Sequence, residues 1–368
     1  MSRAGPDVAF ICTARASYTR NETLLAALQR NYPTRPIVSD LGTYPQRLLS
    51  VVPRALAPLV RADIAVAGFL AQPLAPLFHL RAPERPLVVD AFISLHETLC
   101  EDRRSVARRG PVAAIAKLLD AVSMRRAHTV LTDTAANADD LARRYGIDRA
   151  KFAPVYVGAN ETLFHPRPVV LDSETFRVFY YATFLPLHGV DTIIRAAHIL
   201  RAKPSIHIEI VGDGPERPRV ERLAQELGVS NVTFHDAVPY HKLPELIAQA
   251  DVCLGGHFNA QSAKAQRVVP GKVFQFLAMA KPTVAGDCAG TREALADGED
   301  ALFVPMGDAA ALAEAVLRLQ RDADLRQHIA LGGLARFRRD FSLEATAARL
   351  KGIIDSLARG GKSYADAA

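Results

Sequence analysis

The chain has little with which to cross-link itself or to hold a metal through sequence spacing. Its four cysteines, Cys12, Cys100, Cys253 and Cys288, stand singly, with neither paired metal-ligand spacing nor the density of a disulfide framework. A reducing, cytoplasmic setting is therefore expected. Tryptophan is absent, and so are zinc-finger spacing, a basic leucine zipper and the aromatic signature of RNA-binding sheets, which makes nucleic acid a weak expectation. No apolar run reaches the roughly 18 to 20 residues that a membrane-spanning helix needs. The best stretches are interrupted by Arg54, Arg61 and Arg81. Ahead of Asp7–Thr13 there is no basic flank followed by an apolar stretch and a small-residue cleavage site, so no secretory leader is read. Low-complexity segments are missing as well.

What is present describes an ordinary globular chain of more than one domain. At 368 residues it exceeds the size at which a single core keeps growing. With 49% apolar and 23% charged residues it has enough apolar surface to fold without help. A formal charge of +6 suits a polyanionic partner, a membrane surface or a diphosphate, and composition does not choose among them.

Short β-branched or aromatic runs alternate with longer amphipathic stretches, the pattern of parallel strands joined by crossover helices. In the first half strands are expected near Val8–Thr13, Pro36–Ser39, Ile64–Ala67, Leu87–Ala91, Thr129–Thr132 and Ala153–Val157. Phe164–Leu171, with Pro166 and Pro168, breaks both periodicities and reads as a linker. A second alternation follows near Arg177–Ala182, His207–Val211, Val232–His235, Val252–Leu254, Thr283–Ala285 and Ala301–Val304. Beyond Asp308 the chain reads as wholly helical, and its last helix, Leu343–Ala358, has no strand to precede. The fold expected is α/β, with two doubly wound sheets facing a cleft. The domains expected are 1–168, 169–342, and 343–368 as a helix packing back on the first. In such sheets ligands sit beyond the carboxyl ends of the strands, so function belongs in the strand-to-helix loops.

Two local patterns carry chemistry. Gly212-Asp213-Gly214-Pro215 follows an apolar run and precedes a helical pattern starting near Glu216, with proline fitting a first helical position. Alone it is weak, because such turns occur in many α/β proteins. Lys264, Arg267, Gly271 and Lys272 cluster around Pro270, ahead of a helix through Phe274 and Phe276. Helix-start N–H groups beside cations favour an anion, a diphosphate above all; a solvated basic turn is the plainer reading.

These residues also carry a resemblance. GKVFQFLAMAKPTVAGD, preceded by FYYAT with HGVD, IEIVGDGPERPRVERLA and NVTFHDAVPYHKLPELIAQADV and followed by GTREALADGEDALFVPMGDAAALAEAVLRL, is similar to the retaining glycosyltransferases commonly called GT4, which have the GT-B fold. The likeness spans about residues 176–320. It implies a nucleotide diphosphate sugar as donor substrate, no metal and no other cofactor, and a glycan or lipid-linked acceptor. It further implies donor contacts at Thr183, His188, Gly212, Gly214, His235, Val238, Pro270, Gly271 and Gln275, and a catalytic set of His96, Lys264, Arg267 and Lys272. The segment His235–Tyr240 resembles the stretch that cups the nucleobase. Gln275 falls where the family has the second glutamate of its paired-glutamate motif, which bonds the ribose, and an amide can do the same. The first glutamate of that pair is replaced by Arg267, pointing either to a negatively charged donor sugar or to a guanidinium on the diphosphate. The family's usual Lys-Gly is His188-Gly189 here, and Lys264 and Lys272 stand in for that lysine.

The first half is less legible. Arg15, Tyr18, Arg20 and Asn21 follow the first strand and are read as acceptor contacts, with a solvated loop as the alternative. His96 resembles a histidine that many family members place near the reacting sugar carbon, and neutral imidazole could orient that sugar. Asp90, Glu97 and Asp102 are lesser candidates. Arg103–Arg126 is a basic helical stretch carrying Arg104, Arg108, Arg109, Lys117 and Arg125 around Val112, Ile115, Leu118 and Leu119. It reads first as a packing helix with a wet face, and second as a helix lying on anionic lipid, which would place the protein peripherally at the inner membrane face. Rival functions are a nucleotide-sugar epimerase on the same scaffold and an inactive sugar-nucleotide-binding protein. A dinucleotide-dependent dehydrogenase fits worse, because the GDG turn lacks the required glycine spacing.

Overall fold

A computed structural model describes residues 5–14, 18–102, 110–169 and 174–361. The chain divides into two compact units, one of Met1–Gly158 with Ser342–Ala368 and the other of Ala159–Phe341. The division falls after Gly158, ahead of the proline-containing stretch. Phe164 accordingly belongs to the second unit, where it is buried and meets Tyr240 edge-on with ring centroids 5.3 Å apart.

In the first unit β1 (Val8–Ile11), β2 (Thr34–Ile37), β3 (Ile64–Ala67), β4 (Leu87–Asp90), β5 (Thr129–Thr132) and β6 (Phe152–Pro154) form one parallel sheet in the order β2-β1-β3-β4-β5-β6. Helices cover both faces, which is why β1, β3, β4 and β5 are buried along their whole length and read as continuous apolar runs rather than alternating ones. The C-terminal helix Leu343–Ala358 is part of this unit. Its Ala347, Leu350, Ile353 and Leu357 close one side of the core over Leu24 and Leu28. Asn31 donates to the Ala347 carbonyl at 3.1 Å and Tyr32 to Asp355 at 2.7 Å, fixing the register of the helix against its neighbour.

The second unit repeats the plan. β7 (Phe176–Ala182), β8 (Ile206–Gly212), β9 (Val232–His235), β10 (Val252–Gly256), β11 (Thr283–Asp287) and β12 (Leu302–Pro305) form a parallel sheet in the order β12-β11-β10-β7-β8-β9. Its core includes Val178, Ile193, Ile208, Ile210, Val252 and Val284, all essentially inaccessible to water. Each such side chain contributes about 1.5–3 kcal/mol by burial, so the scaffold beneath the loops is rigid. The connections run outward in opposite directions from β7 and β10. The junction of β7 and β10 is therefore the topological switch point of the sheet, beyond whose strand ends ligands bind in folds of this kind.

Candidate functional site

The switch point is where the second unit gathers its unusual side chains. After β7 the chain makes a short turn ending in His188 and Gly189. After β10 it runs through His257 and Phe258. The two loops are sewn together: Phe258 N–H donates to the His188 carbonyl at 3.1 Å and the Asn259 amide to the Pro186 carbonyl at 2.8 Å. Gly189, at φ +63°, has no room for a Cβ, which would stand 2.4 Å from the Asn259 nitrogen. His188 and His257 consequently stack, ring centroids 5.4 Å apart and planes within 14°.

Both imidazoles are buried and held well below the ordinary histidine range, first by burial and then by the charge of Lys272 and Lys264. His188 Nδ1 accepts the Leu185 N–H at 3.2 Å, so its proton is placed on Nε2. His257 Nδ1 is buried without any hydrogen-bond partner. An unpaired buried polar atom costs about 1–3 kcal/mol, which makes this atom a mark of a site built for something more than the protein alone.

Lys272 stands in the first turn of the helix Gly271–Ala278, which follows Pro270 and has no side-chain cap. The lysine is 7% exposed. Its ammonium lies 4.7 Å from the Tyr180 ring centroid and 5.6 Å from that of Tyr181, with the Tyr180 hydroxyl at 3.5 Å. Burial pushes its pKa down to about 7. Lys264 and Arg267 are also buried, and the turn that carries them lies against the start of the helix Ala289–Ala294, where a side chain at Gly290 would meet the Arg267 backbone at 2.8 Å. The structure thus brings His188 and His257 within electrostatic reach of each other and of both Lys264 and Lys272.

Gln275 is buried with its amide in use. Tyr181 donates its hydroxyl to Oε1, and Nε2 donates to the Tyr240 hydroxyl at 3.0 Å. Through Tyr240 this residue fixes the segment after β9. His235 ends β9 exposed and Val238 is half-buried. Arg217 ties that segment to the GDG turn, donating to the carbonyls of Gly212 at 2.8 Å and His235 at 3.3 Å and to Asp236 at 2.9 Å. Thr183 is exposed, and its carbonyl passes so close to Gly214 that a Cβ there would sit 2.0 Å away. Gly212 and Gly214 are needed because the two loops touch. The helix beyond them begins at Arg217 with Pro218 in its first turn, so Pro215 lies in the preceding turn and not at the helix start expected for it.

Several first-unit expectations are corrected. Arg20 is no acceptor contact: it is fully buried in an ion pair with Asp90 at 2.8 Å and also donates to the backbone of Val155, Tyr156 and Thr132. Asp90 is spent in the same pair. Asn21 is buried too, accepting from Phe69 N–H at 3.2 Å. A charged pair packed this way cannot be opened to a substrate without stranding a buried charge. Tyr18 remains at the surface, 39% exposed and tilted on Phe69. Glu97 is buried and paired with Arg144 at 2.5 Å. His96 is half-buried in the short helix Leu95–Glu97, capped by Ser94. Arg15, Arg104, Arg108 and Arg109 and the side chain of Asp102 lie outside the described residues.

His257 was not among the residues expected from the sequence. Its position beyond the carboxyl end of a strand at the switch point was the available signal. Among the described residues no group of three or more His, Cys, Asp or Glu side chains is placed to hold a metal.

Two doubly wound parallel units with a cationic switch-point site define a GT-B protein, and the solved structures agree in fold. The Anabaena protein Alr3699/HepE, solved in complex with UDP and glucose, superposes with a TM-score of 0.72 at 17% identity, over 95% of this chain and 100% of that one. Sucrose-phosphate synthase from Thermosynechococcus elongatus gives 0.71 at 16% identity, over 96% and 99%. Residues 175–322 match the family described as Glycosyl transferases group 1. Among curated relatives it is 26% identical, over 70% of its length, to the D-inositol 3-phosphate glycosyltransferase of Thermomonospora curvata. It is 29% identical, over 52%, to the lipopolysaccharide core biosynthesis glycosyltransferase LpsD of Rhizobium meliloti. The chain spans 64% of the first relative and 54% of the second.

Proposed function

We propose that this protein transfers a sugar, with retention and without a metal, from a nucleotide diphosphate sugar to a glycan or lipid-linked acceptor. One observation carries the reading: a buried lysine and two stacked neutral histidines, one with an unpartnered nitrogen, meet at the switch point inside the segment that matches the family. UDP in the HepE complex favours a uridine donor. As the sugar–phosphate bond breaks, the anomeric carbon takes on oxocarbenium character and the departing diphosphate oxygen gains negative charge. Lys272 meets that charge, His188 Nε2–H and the start of the helix at Gly271 add donors, and Lys264 and Arg267 supply the surrounding positive potential. Gln275 and the segment around His235 and Val238 hold the nucleoside, and Thr183, Gly212 and Gly214 keep the loops close.

A preorganised donor of this kind is worth about 2.7–4 kcal/mol of barrier. In an assay with UDP-, GDP- and ADP-sugars and extracted lipid-linked acceptors, Lys272→Ala should therefore turn over roughly 100- to 1000-fold more slowly than the parent. Donor consumed without an acceptor would point to epimerisation or hydrolysis, and no reaction with any donor would contradict transfer.

A further inference from the structure

Gln275 stands where a pentose would be read, and its amide is already in use. Lys272 and Gln275 lie three residues apart in the helix Gly271–Ala278, so they share a face and stand about 4.5 Å apart along its axis. Both are buried. With the diphosphate at Lys272 and the base against the segment that Tyr240 anchors, the pentose between them comes to Gln275. There the amide meets a tyrosine hydroxyl at each end, Tyr181 donating to Oε1 and Nε2 donating to Tyr240 at 3.0 Å. Turning the amide over would leave both ends partnered, because a phenol hydroxyl donates as well as accepts. Neither amide atom is a buried polar group without a partner, as His257 Nδ1 is.

Packing holds this arrangement. The Tyr181 ring is edge-on to Phe276, with centroids 6.0 Å apart, and the Tyr240 ring is edge-on to Phe164. Neither ring moves off the amide without disturbing an aromatic contact. Carboxylates in the neighbouring loops are engaged as well: Glu216 with Arg219 at 2.7 Å, Asp236 with Arg217 at 2.9 Å and Asp287 with Arg292 at 2.6 Å. A site rejects an analogue lacking a hydroxyl when that loss strands one of its own buried polar groups, and a site so built discriminates roughly 10,000-fold or more. At Gln275 the loss strands nothing.

We propose that the donor's 2′-hydroxyl is not read, so that 2′-deoxyribonucleoside diphosphate sugars serve as donors beside their ribonucleoside counterparts. The inference rests on the donor reading above and sharpens its substrate class. The test is calorimetric titration of the full chain with UDP, GDP and ADP and with the 2′-deoxy form of each. For the base that binds, the ribo and deoxy forms should differ by no more than about threefold in affinity. In Tyr181→Phe, with Gln275 Oε1 stripped of its partner, a 2′-hydroxyl gains an acceptor, and the ribo form should be preferred roughly tenfold. A ribo preference beyond about threefold in the parent would overturn the proposal and leave the donor reading standing. A flat ratio in a Tyr181→Phe protein that melts as cooperatively as the parent would overturn it too, since Gln275 would then not face the pentose. Binding of none of these nucleotides would instead sink the donor reading, and the inference with it.

Discussion

Asp120 holds the short helix that carries His96. One carboxylate oxygen accepts Leu95 N–H and the other His96 N–H, both at 2.9 Å, and the Tyr145 hydroxyl approaches at 3.3 Å. Burial nevertheless dominates, pushing the carboxyl pKa from 3.8 up to about 6; the hydrogen bonds pull it down and the nearby Glu97 adds to the rise. In the unfolded chain the proton leaves near pH 4, whereas the folded protein keeps it to about 6, so the folded state binds more protons across that window. Stability must then fall as pH rises through it and level off above, by about 3 kcal/mol for two pK units. In urea denaturation, Asp120→Asn should lack this loss, the parent declining by about 3 kcal/mol relative to it between about pH 4 and pH 6.5; parallel profiles would count against a buried, strained carboxylate. Residues of this type are also where the sequence misleads. Arg20 and Asp90 look available in isolation, and only the fold, bringing the helix Thr19–Asn31 against β4, shows that they neutralise each other.

At the scale of elements, the central strands were legible because buried parallel strands demand runs of β-branched and aromatic residues, whereas the edge strands β2 and β9 are only partly buried. Strand ends shifted by one to three residues, as at β1, which stops at Ile11 rather than Thr13, and at β6, which stops at Pro154 rather than Val157. Function-bearing loops were less legible. The sequence marks the GDG turn as a ligand loop, and the structure adds a packing reason for its glycines. Gly212, at φ +134°, would place a Cβ 1.9 Å from the Ala182 carbonyl oxygen. Gly212→Ala should therefore destabilise the second unit by at least about 2 kcal/mol, through strain and forced separation of the loops. Gly228→Ala is the control: it has φ +61° but open space around it, so backbone strain alone should cost about 1 kcal/mol. Thermal melts showing equal losses would mean that the close approach is unimportant. The helix Pro111–Arg126 shows the other limit of sequence reading. Its periodicity gives two faces, and nothing local says that the one lined by alanine and serine packs inward.

For the whole molecule, a chain of net charge +6 draws anions by its long-range field, but only a built site holds one in place. The second unit's site is built from groups kept neutral or nearly so by burial: His188 and His257 well below their usual range and Lys272 at about 7. Lys272 adds its charge to that of Lys264 and Arg267 when an anion arrives. At pH 8 Lys272 is mostly uncharged, and a diphosphate beside it must raise its pKa and draw a proton from solution. His188 and His257 are held too far below neutrality to supply that signal at pH 8, and it is burial, which a bound diphosphate's charge would offset, that keeps Lys272 low. The decisive measurement is calorimetric titration of the full chain with UDP, GDP and ADP at pH 8, in two buffers of different ionisation enthalpy. One nucleoside diphosphate should bind with the uptake of up to one proton, and Lys272→Met should lose both the uptake and most of the affinity. Absence of binding by all three nucleotides, or equal affinity and proton balance in Lys272→Met, would contradict the account.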